Sequence, residues 1–156
     1  MKQLLLCLSL LLLTMSCEPR TEKIARTEKA EGVFINKEQL EMMPVLYPYI
    51  DYVNVVKRAS EGSEKDIYLL CSLQFDGAYG YDHGSVLVDI IDILGEDKCV
   101  DMMKDINKQQ AEYFDGYLNV GLLYGHKYGN KPFDHDYEIK DIFPKIDRLL
   151  QSKLGQ

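Results

Sequence analysis

The sequence predicts an all-α protein, an irregular helical bundle or short solenoid-like stack of about six or seven helices. Three observations carry that reading. Apolar residues recur three and four positions apart through most of the chain after Phe34. Capping residues and glycine stops bracket these runs. Strand signals are few, and "GVFIN" at Gly32–Asn36 is an edge with no clear partner. The caps at Ser63, Asp82 and Asn107 are spaced too unevenly for a structural repeat.

Each element follows from local chemistry. In "NKEQLEMM", Asn36 caps, Gln39 completes a capping box, and Pro44 stops the helix. In "YPYIDYVNVVKRASEG", Pro48 stands near the first turn, Ile50, Val53 and Val56 line one face, and Gly62 terminates. "SEKDIYLLCSLQFDG" starts at Ser63, carries Ile67, Leu70, Cys71 and Phe75 inward, and ends at Gly77. The next helix begins at Asp82 or Ser85 and ends at Gly95. Its i, i+4, i+8 apolar spacing (Val86, Ile90, Leu94) favours helix over the alternation also present in "SVLVDIID". "EDKCVDMMKDI" is a short helix with Cys99, Met102, Met103 and Ile106 inward. "NKQQAEYFDGYLNVGLLYG" opens on an Asn107–Gln110 capping box, and Gly121 and Gly125, four apart, invite close approach of a neighbour. In "YEIKDIFPKIDRLLQSKL", Pro144 must kink or split the helix.

The N-terminus has a different grammar. In "MKQLLLCLSLLLLTMSC", Lys2 precedes an apolar run from Leu4 to Leu13, too short to span a bilayer, and small Ser16 precedes Cys17. This stretch resembles the lipobox of bacterial lipoprotein precursors, departing from it at Thr14, where leucine is usual, and at bulky Met15. The resemblance covers residues 1–17 only. It implies a signal peptide at 1–16, a lipid on Cys17, and palmitate among the acyl chains. A plain signal peptide cut near Ser16 is the alternative. Residues 17–32 are polar and charged and read as a tether, which leaves 33–156 as a single helical domain. Glu18 follows the cysteine, and with no aspartate there the expected address is the bacterial cell envelope, at the outer membrane facing the periplasm.

Composition narrows the partners. With 18 basic against 25 acidic residues the net charge is −7, and loss of Lys2 makes it more acidic. Nucleic acid and anionic headgroups are therefore poor partners; the acid excess serves solubility first, and it suits a basic protein or cations. Cys71 and Cys99 survive signal removal as an even pair, a candidate disulfide in an oxidising compartment or two separately buried thiols.

The glycine-rich stretch "DGAYGYDHG", Asp76–Gly84, is the obvious place to look for a site. Neither register of its aspartates supplies the alternating oxygens of a calcium loop. No Lys or Arg stands nearby to hold a phosphate. The reading that remains is a helix-to-helix joint whose tyrosines face a partner. The candidate surface is Tyr79, Tyr81, Asp82 and His83, with Tyr124 and Tyr128 of the similar "YGHKYG". Counting helix crossings places the two stretches at opposite ends of a simple stack. His83, His126 and His135 lie in three separate stretches, without helical ligand spacing, and define the rival class of a metal-dependent hydrolase. Ser72 and Ser85 are outside any nucleophile elbow, and Asp89 and Asp92 read as a solvated face. No catalytic residue, cofactor or metal ligand is assigned. The function expected is a membrane-tethered, non-enzymatic protein-binding module, in one version an immunity protein that blocks a toxin. A structural accessory of an envelope complex is the third class.

Overall fold

Asn36 begins the first helix as its sequence promises, accepting from Glu38 N at 3.2 Å. In the computed structural model of the chain, residues 32–129 and 137–155 are described, and these form eight helices and no strand. The signal peptide, Cys17, the tether up to residue 31 and His135 lie outside the described residues.

Helix α1 is Lys37–Leu46. Gln39 does not return to the cap; it is fully buried and donates to the Tyr52 hydroxyl. Pro44 lies inside α1, which continues to Leu46. Helix α2, Tyr52–Ser60, starts later than expected because Asp51 caps it through Asn54 N. Gly62, at φ +102°, supplies the left-handed stop, and Ser63 N reaches back to Arg58 O. Helix α3, Glu64–Ser72, buries Ile67, Leu70 and Cys71. At its start Arg58 forks onto buried Asp66 at 2.7 and 2.9 Å.

Two expectations fail after Ser72. The helix stops well before Gly77, and residues 73–76 take no helical form. Two tyrosine hydroxyls replace the lost ladder. Tyr117 accepts from Phe75 N and donates to Leu73 O, while Tyr47 accepts from Gln74 N and donates to Gln74 O. Helix α4 then begins at Ala78 and runs to Leu94, so most of the presumed joint is its first two turns. Gly77, at φ +57°, makes the entry, and no side chain caps it.

Helix α5, Glu96–Met103, follows the single residue Gly95 (φ +81°). Helix α6, Lys108–Tyr124, has the predicted Asn107–Gln110 capping box, at 2.9 and 3.0 Å. Pro144 splits the last helix into α7, Ile139–Ile142, and α8, Pro144–Leu154. The Glu96 carboxylate of α5 accepts from Ile146 N at 2.9 Å and from Lys145 N, so it caps α8 from across the molecule.

The helices gather around α4, whose Val86, Leu87, Val88, Ile90 and Ile91 are each no more than 2 % exposed. A helix apolar nearly all round must be wrapped by others, and α1, α2, α5 and α6 all pack on it. The fold is thus a helical bundle. Its closest contact pairs α4 with α6 in ascending order: Gly80 meets Tyr117, Gly84 meets Gly121, and Ser85 meets Gly125. The two helices therefore run in the same general direction, with α5 carrying the chain back between them. At the crossing, a Cβ on Gly84 would stand 2.2 Å from the Tyr117 carbonyl oxygen.

Candidate functional site

The ascending register of α4 and α6 creates a cleft at the start of α4. Its floor comes from the irregular stretch Gln74–Gly77 and its walls from the first turn of α4 and the 112–120 face of α6. The volume is about 330 Å³. Phe75, Tyr81, Tyr113 and Tyr117 supply rings, and Asp76 and Glu112 supply carboxylates. Gly77, Gly80 and Gly116 leave room.

The predicted surface is only partly brought together. Tyr81 and Tyr124 stack face to face, centroids 4.6 Å apart and planes 27° apart, at 42 % and 59 % exposure. The expectation that the two stretches stand at opposite ends is thus wrong for this pair. Because 78–84 is helical and α4 and α6 ascend together, the ring of Tyr81 in α4 meets the ring of Tyr124 at the end of α6. Tyr79 is half-buried against the core. Asp82 is half-buried and accepts from the Asn36 side chain at 3.1 Å, and burial raises its carboxyl above the usual range. Tyr128 is elsewhere, against Asp92 and the Tyr137 ring.

His83 is a correction: it is fully buried and cannot face a partner. Its Nε2 lies 3.1 Å from Leu70 O, which can only accept, so Nε2 carries the hydrogen. Nδ1 then accepts from the Tyr52 hydroxyl at 2.7 Å, and that oxygen accepts from Gln39 Nε2 at 3.0 Å. Phe75 and Tyr117 rings close the site at 4.6 and 4.8 Å. Burial pushes the imidazole down to about 4, so it is neutral near pH 7. Gln39 Oε1 is the one buried side-chain oxygen or nitrogen without a partner among the described residues.

Asp89 is a second correction. It is 5 % exposed, not part of a solvated face. Its carboxylate accepts from Phe34 N at 2.9 Å and lies 3.5 Å from His126 Nε2. His126 Nδ1 is 3.1 Å from Ser85 Oγ. Burial raises the Asp89 carboxyl, against the opposing pull of Phe34 N–H and His126. Serine, histidine and aspartate here share one network, with Ser85 in a helix interior whose backbone N–H groups serve the helical ladder. The network ties Phe34 and His126 to α4. Its partner aspartate, Asp92, pairs with Lys127 and Tyr128.

Cys71 and Cys99 are both buried free thiols, so the candidate disulfide is not formed. Burial raises both thiols, Cys99 to about 12, and each influences packing and not chemistry. Among the described residues, no three His, Cys, Asp or Glu side chains are grouped to hold a metal ion, and no helix is long and apolar enough to cross a membrane.

Sequence reasoning singled out the stretch that begins at Asp76 but missed its partners in the cleft, Glu112, Tyr113 and Tyr117. Only the i, i+4 spacing of Tyr113 and Tyr117 hinted at a shared face. No family model, curated protein or solved structure matches the chain.

Proposed function

We propose that this protein is a non-enzymatic protein-binding module of the bacterial envelope, tethered through a lipid on Cys17 at the outer membrane and facing the periplasm. The observation that carries the binding role is the exposed Tyr81–Tyr124 stack on the rim of an aromatic cleft. Stacked tyrosines lose little side-chain entropy on binding and bury large area, which makes them contact anchors. The acid excess suits a basic partner, such as a toxin held inactive by an immunity protein.

The test is capture of partners by the full-length chain from its own envelope. A single specific protein is expected, lost in a Tyr81→Ala/Tyr124→Ala variant whose melting temperature is unchanged. Recovery of no specific protein, or equal recovery by the variant, overturns the binding role. Incorporation of a palmitate analogue is expected in the parent and absent in Cys17→Ser; label persisting in the variant overturns the anchor.

A further inference from the structure

We infer that the cleft between the first turn of α4 and the outer face of α6 receives the guanidinium of an arginine side chain presented by a basic protein partner. The inference rests on the binding role proposed above and names the chemistry of its contact. Three features of the cleft support it.

The first is the pairing of ring faces with negative charge. Phe75, Tyr81, Tyr113 and Tyr117 line the same space as Asp76 and Glu112, and no Lys, Arg or His lines it. A ring face attracts a cation within about 6 Å of its centroid. Neither carboxylate is in an ion pair among the described residues, so their charge is available to an incoming group.

The second is that the walls are already fixed. The Tyr117 hydroxyl is spent on Leu73 O and Phe75 N, and Gln74's backbone is spent on Tyr47. These bonds fix the wall groups in place, and the ionised carboxylates are the stronger acceptors for a cation. Space is preformed as well: a Cβ added at Gly77 or Gly116 would meet nothing within 4 Å.

The third is the match of shape. A guanidinium is flat, stacks on rings, and has five donors in a fork that reaches two carboxylates at once; an ammonium is a strongly hydrated point charge. A bare divalent cation would need six or more oxygens, where two carboxylates and aromatic rings stand. The source is a chain and not a free metabolite because Tyr81, which lines the cleft, stacks on the exposed Tyr124 and so continues the contact surface beyond the volume one side chain fills.

The test uses the full-length chain and three small probes: N-acetyl-arginine amide, its neutral citrulline counterpart, and free arginine. The readout is the backbone amide signals of Gly77, Gly80 and Gly116. Saturable shifts are expected with the capped arginine at millimolar concentration, and binding about tenfold weaker with citrulline. Asp76→Asn/Glu112→Gln is expected to reduce capped-arginine binding by about tenfold or more with no change in melting temperature. Free arginine should bind no better than the capped probe, since its carboxylate is repelled. Equal shifts from citrulline, no shift from either, or undiminished binding to the double variant each overturn the inference. Tighter binding of free arginine overturns the assignment to a protein side chain. Failure here with a partner still captured through Tyr81 and Tyr124 leaves the binding role standing; shifts with no partner recovered overturn the binding role and with it the assignment to a partner's arginine.

Discussion

His83 shows how much one buried side chain controls. It stands neutral inside a shell of Tyr52, Phe75, Tyr117 and the Leu70 carbonyl, with its ionisation pushed from 6.5 to about 4 by burial. The unfolded chain takes up a proton on this residue below pH 6.5, and the native state resists until about 4. The stability it contributes is thus complete above pH 6.5 and is lost as pH falls toward 4, by up to about 1.4 kcal/mol per pH unit. Asp82, Asp89 and Asp115 have raised carboxyls and push the other way as pH falls. The informative measurement is therefore a difference: chemical denaturation of the parent and of His83→Gln between pH 7 and 4.5. The variant is expected to be less stable at pH 7 and to have a flatter acid limb; equal slopes would refute the account. Nothing in "YDHG" distinguishes a core histidine from a surface one. Its partners Gln39, Tyr52 and Leu70 are 13 or more residues away in sequence, and only their convergence decides its state.

Elements were the most legible scale, and their failures are informative. Caps that act within one turn were readable: Asn36, the Asn107–Gln110 box, Gly62, Gly95 and the break at Pro144 all appear where the local chemistry puts them. Pro44 does not stop α1, α2 starts later than Pro48 suggests, and the largest displacement lies at 73–77, where hydroxyls from Tyr47 and Tyr117 outcompete the helical ladder. Those donors are 27 and 44 residues distant, beyond any window of sequence. The glycines of α4 and α6 separate the same two cases. Gly84→Ala drives a Cβ to 2.2 Å from backbone, so it must push the helices apart, with a cost of about 2–3 kcal/mol or more. Gly116→Ala meets nothing within 4 Å and removes helix-interior glycine, with a gain of about 0.5–1 kcal/mol. Urea midpoints of the two variants should move in opposite directions. A Gly84→Ala protein as stable as the parent would disprove the close crossing.

At the scale of the whole molecule, α4 is the shared resource. Because α1, α2, α5 and α6 all pack on it, and α3 and α8 pack in turn on α5 and α6, loss of α4 strips core from four helices directly and from their neighbours in turn. Unfolding is expected to be a single transition, with near- and far-ultraviolet circular dichroism superimposing across a urea titration. Separate midpoints would show that some helices fold independently. The same arrangement brings Tyr81 and Tyr124 to one rim, with Asp76 and Glu112 in one cleft. The amino-acid sequence by itself determined that the protein is helical, where most helices begin and end, and that it is acidic. These follow from interactions within a turn or from composition, which are local or additive. Tertiary structure alone decided that α4 and α6 run in the same direction, that His83 and Asp89 are buried, that the two cysteines remain thiols, and where the cleft lies. Each of these depends on long-range packing, in which distant residues meet only after burial of apolar faces has selected one arrangement of the helices.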